Sequence, residues 1–244
     1  MRRVIGIDGC PSGWIGVAQG ADGQDPEILF FHHFSDVIAH PDDFAIIAVD
    51  MPIGLPDVIA GSGRGPEQAV RPLLGKRQSS VFSIPARAAV EEPDYRKACA
   101  IALERSAPPR RISKQSFNIF PKILEIDRLM SPVLEARVHE VHPELAFWRM
   151  NGERALLTAK KIRSRVNPDG MAERRQLLLA NGFRAGFLDR VFLDVKRSRG
   201  AAMDDFFDAC AATVMARRAL HGLLQPFPSD FARDAKGLRV AIWA

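Results

Sequence analysis

Five carboxylates stand where they could do chemistry together: Asp8, Asp50, Glu144, Asp205 and Asp208. Asp8 and Asp50 each close a short apolar run, Val4-Ile5-Gly6-Ile7 and Ala45-Ile46-Ile47-Ala48-Val49. Glu144 follows the alternating stretch 136–142 by way of Pro143. Asp204, Asp205 and Asp208 lie within one turn of a helical pattern and so share a face. Magnesium and manganese prefer oxygen ligands, so carboxylates without thiolates suit them. A cation would also relieve the repulsion that Asp208 meets beside its neighbours. Ordinary structural roles compete with this reading. Asp8-Gly9 is good turn chemistry, and acids in the first turn of a helix favour its dipole and cap it. Spacing leaves open which of Asp204 and Asp205 faces the other acids.

A second group of residues suits anions. The stretch 74–87 gathers Lys76, Arg77 and Arg87 around Ser79 and Ser80. Guanidinium and hydroxyl groups recognise phosphate oxygens, although arginines also tie down irregular loops. Lys160 and Lys161 open a further basic cluster, 158–165. Residues 1–60 carry two basic and nine acidic side chains, residues 61–200 carry 27 and 15, and residues 201–244 carry five of each. An acidic first block beside a basic middle fits a cation centre flanked by a polyanion surface. His139 and His142 are read as ordinary hydrogen-bonding residues near a strand end. The Gly-rich stretch 61–66 lacks the Gly-Lys-Ser/Thr ending of a phosphate loop and is read as a loop only.

The elements that must position these groups follow from periodicity. Residues 4–18 read as a β-hairpin that delivers Asp8 to the end of its first strand, and 27–34 as a third strand. Residues 45–50 form a continuous apolar run, typical of a central strand buried on both faces. Residues 57–135 are the least regular part, with helices over 93–105 and 122–130, and are read as an insertion within a single domain spanning 1–244. A strand over 136–142 precedes helices over 168–180, 184–195 and 202–221, and a strand over 238–243 closes the chain. Composition, at 47% hydrophobic and 26% charged, is that of an ordinary globular protein. No apolar run reaches the roughly 18–20 residues needed to span a bilayer, and Met1-Arg2-Arg3 does not begin a signal peptide. Cys10, Cys99 and Cys210 are widely spaced, as reduced core thiols of a cytoplasmic protein would be.

The order of these acids resembles the RNase H-like superfamily, and in particular the Holliday-junction resolvases of the RuvC type, whose last helix carries an Asp-x-x-Asp-Ala pattern like Asp205–Ala209. The whole chain is similar to the family DUF429, described as predicted RNase H-like nucleases. The matching stretches are Gly6-Ile7-Asp8-Gly9-Cys10 with Gly13-Trp14, Asp50–Leu55, Leu74–Arg77 with Ser79–Phe82, Pro85 with Arg87, His142-Pro143-Glu144, and Asp204-Asp205 with Asp208-Ala209.

The resemblance implies an α/β fold: a mixed five-stranded RNase H-like sheet flanked by helices, with a helical and irregular insertion and an added C-terminal strand. It implies a nuclease that hydrolyses phosphodiesters by a two-metal mechanism with Mg2+ or Mn2+. Asp8 would bridge, Asp50 and Asp208 would flank, and Asp205 or Glu144 would complete the site. Lys76, Arg77, Ser79, Ser80, Arg87, Lys160 and Lys161 would hold nucleic acid, with a homodimer as a further expectation. One departure stands out. RuvC-type enzymes have Glu at the fourth strand, and the shorter Asp50 suggests a site that holds one ion well or takes a smaller phosphate ester. Two other functions fit the same residues: a catalytically silent nucleic-acid-binding or regulatory module of the same fold, and an actin-like nucleotide-binding phosphotransferase. The latter needs a second phosphate loop, and Asp169-Gly170 does not end a strand.

Overall fold

The computed structural model describes residues 2–163, 165–189 and 201–244. Strands β1 (Arg3–Cys10) and β2 (Gly13–Gly20) form the expected hairpin, and β3 (Glu27–Phe31) continues it as an antiparallel meander. Strands β4 (Ile46–Val49) and β5 (Val138–Glu140) lie on the other side of β1 and run parallel to it. The result is a mixed five-stranded sheet of order β3-β2-β1-β4-β5. Pairing of Gly6 with Ala48 in β1 and β4 brings the ends carrying Asp8 and Asp50 side by side.

Side-chain alternation divides the core into two layers. Val4, Ile46 and Ala48 pack against α5 (Pro143–Met150), α6 (Pro168–Ala180) and α7 (Met203–Leu220). Ile5, Ile7, Ile47 and Val49 face α1 (Phe34–Ile38), α3 (Tyr95–Glu104) and α4 (Phe120–Leu129). Helix α2 (Gly65–Val70) begins at the end of the Gly-rich stretch, with Pro66 in its first turn, where a missing N–H costs nothing. Asp8 has the parity of Val4 and Gly6, and Asp50 that of Ile46 and Ala48. Both therefore point toward the layer that contains α7.

Helix α7 is the principal partner of the sheet. Phe206, Ala209, Cys210, Ala212, Thr213 and Ala216 are all buried, and Thr213 donates from its hydroxyl to the Val17 carbonyl at 2.7 Å. Small residues on one face let the helix lie almost on the strand. A Cβ placed on Gly6 would stand 2.1 Å from the Thr213 backbone nitrogen and 2.3 Å from the Ala209 carbonyl oxygen. Only glycine fits there, and that close approach carries Asp208 to the ends of β1 and β4.

One sequence expectation differs in detail. The C-terminal strand is present but short, Ile242–Trp243, and it pairs antiparallel with Pro226–Phe227, not with the edge of the main sheet. The stretch after His142 is a helix, because Pro143 occupies its first turn, where a missing N–H costs nothing. The expectation of a helix over 184–195 falls in part outside the described residues. The Gly-rich stretch 61–66 is anchored to the core. Arg64, only 2% exposed, donates to the carbonyls of Ile53 and Gly54 at 2.9 and 3.0 Å and to both carboxylate oxygens of Glu140. No helix among the described residues is long and apolar enough to cross a membrane.

Candidate metal centre

Asp8, Asp50 and Asp208 each offer a carboxylate oxygen, and these three atoms lie within 4.8 Å of one another. Each arrives by a different route. Asp8 lies near the end of β1, just past its pairing with β4, and its Oδ1 accepts from the Gly9 N–H at 2.7 Å. Asp50 follows β4, and its own N–H donates to the Ile7 carbonyl at 2.9 Å, which ties it to β1. The chain then turns sharply through Met51–Leu55. The Ile53 N–H donates to Glu140 at 2.7 Å and the Leu55 N–H to Asp234 at 2.9 Å. Asp208 comes from the second turn of α7.

Two charges at such separations repel by about 3–4 kcal/mol at an effective dielectric of ~20, and burial adds to the cost of ionising them. Burial, Asp50 and Asp208 hold the Asp8 carboxyl well above the usual carboxylate range. Burial and Asp208 push Asp50 up to about 8. Asp208 is raised by burial, with Lys160 opposing. Lys160 bonds directly to Asp208, and although burial pulls its ammonium down, Asp208, Asp8 and Asp50 together raise it. One ammonium against three carboxylates leaves two negative charges, which is the charge of one divalent cation reversed. Asp208 Oδ1 is buried without a hydrogen-bond partner. An oxygen-only donor set with an unsatisfied buried oxygen fits a hard cation such as Mg2+ or Mn2+.

The Lys160 backbone is fixed from below. The Asn167 N–H donates to the Lys160 carbonyl at 2.8 Å, and the Asn167 side chain to the Ala159 carbonyl at 2.9 Å. Fully buried Arg174 donates to the Thr158 carbonyl at 3.0 Å and forms an ion pair with Glu144. Glu144 is thus two steps from the acids: it holds Arg174, which holds the strand of chain that presents Lys160.

The two acids before Asp208 separate clearly. Asp204 is buried, pairs with Lys161 at 2.5 Å and has an unpartnered Oδ1. Asp205 accepts from the Ala202 N–H at 2.9 Å, which caps the start of α7, and stands outside the group of three. It remains near enough to raise Asp8.

Two cavities meet at Asp50. One, of about 230 Å3, is bounded by Asp8, Asp50, Val81, Phe82, Lys122 and His142 among others. The other, a wider groove of about 680 Å3, is lined by Arg77, Ser79, Ser80, Lys160 and Lys161 together with Asp204 and Glu144. Lys76 is exposed and lines neither. Arg87 also lies outside both. It is bonded to Asp127 at 2.7 and 3.1 Å and to Asp234 at 2.8 Å. That is a loop-anchoring role, and through Asp234 it supports the turn after Asp50.

His142 lines both cavities, and burial pushes its pKa down to about 4, so its ring is neutral near pH 7. Phe82 is the side chain that sequence reasoning passed over. It sits in an irregular segment where no periodicity marks a face.

The chain matches one family model, described as protein of unknown function (DUF429), over residues 6–233. No curated protein and no solved structure matches it. The matched span contains all three clustered acids and every strand of the main sheet except the opening residues of β1. On that coverage the protein belongs to the DUF429 family.

Proposed function

We propose that the protein is a metal-dependent nuclease that hydrolyses phosphodiester bonds at Asp8, Asp50 and Asp208. The observation that carries this reading is the convergence of three carboxylates within 4.8 Å, from two parallel strand ends and a helix, with one lysine as counter-charge. Held there, one or two divalent ions would activate a water and stabilise the leaving oxygen. Asp8 is central in the sheet and is the candidate bridging ligand, with Asp50 and Asp208 flanking it. The charge balance favours one tightly held ion. Lys160 holds a positive charge beside the acids and stabilises negative charge as it develops on a phosphate oxygen. Arg77, Lys161, Ser79 and Ser80 line the adjoining groove and supply the donors that orient a phosphate backbone. Glu144 and Arg87 act as positioning residues through Arg174 and Asp234.

A second reading is favoured by one observation. Because Lys160 already bonds Asp208, a module that binds nucleic acid without cutting it would have its acids partly neutralised by the chain itself.

Cleavage of a labelled panel separates the two: single-stranded, duplex, branched and hybrid nucleic acids, with Mg2+, Mn2+ or chelator. The nuclease reading expects cutting that disappears with chelator and in Asp8→Asn and Asp208→Asn. Salt-sensitive binding without cutting under any metal would instead establish the silent module.

A further inference from the structure

The acid centre lies between two walls. On one side of the 230 Å3 cavity are the ends of β1 and β4, with Asp8, Gly9, Asp50 and Met51. On the other are residues of the segment that precedes β5, namely Val81, Phe82, Ile84, Asn118, Ile119 and Lys122. Half of the residues that line it are polar or charged, Arg64, Asn118 and Lys122 among them, and half are apolar, so it offers partners to both the edges and the faces of a base. A base within a duplex has its faces stacked and its edges paired, and so has neither to offer. An unpaired base has edges and faces free.

Phe82 stands on the boundary. It lines both the smaller cavity and the wider groove, is 36% exposed, and has no aromatic partner among the described residues. An exposed phenyl ring beside a row of phosphate-binding groups is what single-strand binding sites use to stack bases. Two polar atoms that the fold leaves unsatisfied complete the site. Asp204, 3% exposed, lines the groove with a partnerless Oδ1, and buried His142 Nδ1 belongs to a ring that lines both compartments.

Resting on the phosphodiesterase reading, we infer that the substrate is an unpaired nucleotide: its base stacks on Phe82 where the cavity meets the groove, and its phosphate lies at the acids. Any continuing strand leaves along the groove past Ser79, Arg77 and Lys161. The end or a loop of a single strand presents such a nucleotide with its phosphodiester, and a free mononucleotide presents the same base and phosphate as a cleavage product would. Duplex is accepted only where a base is first unstacked.

The test uses the full chain with Ca2+ in place of Mg2+, to hold ligand without turnover. Binding is measured for a short single-stranded oligodeoxyadenylate, for its duplex with the complement, and for adenosine 5′-monophosphate. Single strand is expected to bind at least about tenfold more tightly than duplex. Phe82→Ala is expected to weaken single-strand binding by roughly tenfold, with unchanged melting temperature and unchanged metal binding. Phe82→Trp is expected to keep the affinity and to add a tryptophan emission that ligand quenches, a signature no structural role would give. Mononucleotide binding equal to that of the single strand would show that recognition is confined to one nucleotide, with the continuing strand adding nothing. Duplex bound as well as single strand, or Phe82→Ala without effect, overturns the inference while metal-dependent cleavage stands. Failure of the phosphodiesterase reading is seen separately, as an absence of Mg2+- or Mn2+-dependent cleavage of any nucleic acid in the panel.

Discussion

At the scale of single residues, the carboxyl of Asp50 shows the cost of the arrangement most clearly. Its pKa rises from 3.8 to about 8 through burial and Asp208, and Asp8 and Asp208 move in the same direction. An acid with a raised folded-state value binds its proton more tightly in the folded chain. Its contribution to stability is therefore fully present below about 4 and is lost as pH climbs through about 8. With chelator present, the melting temperature is expected to fall between pH 5 and pH 8, by about 2–4 °C for each kcal/mol lost at this chain length. Asp50→Asn should flatten that fall, and saturating Mg2+ should abolish it in the wild type. Lys160 supplies the opposite test. Lys160→Met removes the ammonium that bonds Asp208 and should cost about 3 kcal/mol in chelator at pH 8. Mg2+ should restore more stability to this variant than to the wild type, as read by chemical denaturation.

At the scale of elements, the site depends on how closely α7 lies on β1. Gly6→Ala pushes a methyl group into the backbone of Thr213 and Ala209, and neither neighbour is a side chain that can swing away. The expected result is a loss of about 1–3 kcal/mol together with weakened metal binding, because Asp208 moves with the helix. Gly170→Ala tests the other support. Its Cβ would stand 2.0 Å from the Ala159 carbonyl, so the stretch carrying Lys160 must shift while the acids stay in place. Metal binding should survive there, and nucleic-acid binding should drop.

These elements also explain what the sequence could and could not reveal. Asp8 and Asp50 were legible because each ends an apolar run, and the parity of Gly6 and Ala48 turns both to one face. Asp208 was legible from helical spacing. Glu144 was harder, because proximity to a strand end says nothing about direction, and Pro143 had already begun a helix. Glu140 truly ends β5, but its parity puts it on the other face, where Arg64 holds it. Asp204 and Asp205 could not be separated by spacing, since the choice depends on which one caps α7. Phe82 and the pairing of Arg87 with Asp127 and Asp234 arise from contacts far apart in the chain, which no local pattern encodes.

At the scale of the whole molecule, the acidic opening of the chain and its basic middle meet at one place. Asp8 and Asp50 come from the first block, and Arg77, Lys160 and Lys161 come from the second across the groove. The charge asymmetry is thus gathered at a site. Nucleic-acid affinity is expected to fall steeply with salt, and Arg77→Ala and Lys161→Ala should each lower the salt slope by about one. Lys76→Ala, outside the groove, should leave the slope unchanged.

The most direct measurement is a calorimetric titration of the metal-free protein with Mn2+, beside Asp8→Asn, Asp50→Asn and Asp208→Asn. Saturable binding to the wild type, at close to one ion per chain and lost or greatly weakened in all three variants that remain folded, is the expected result. Wild-type protein that takes up no Mn2+, or variants that bind it as tightly as the wild type does, would mean that the three acids do not form a metal centre.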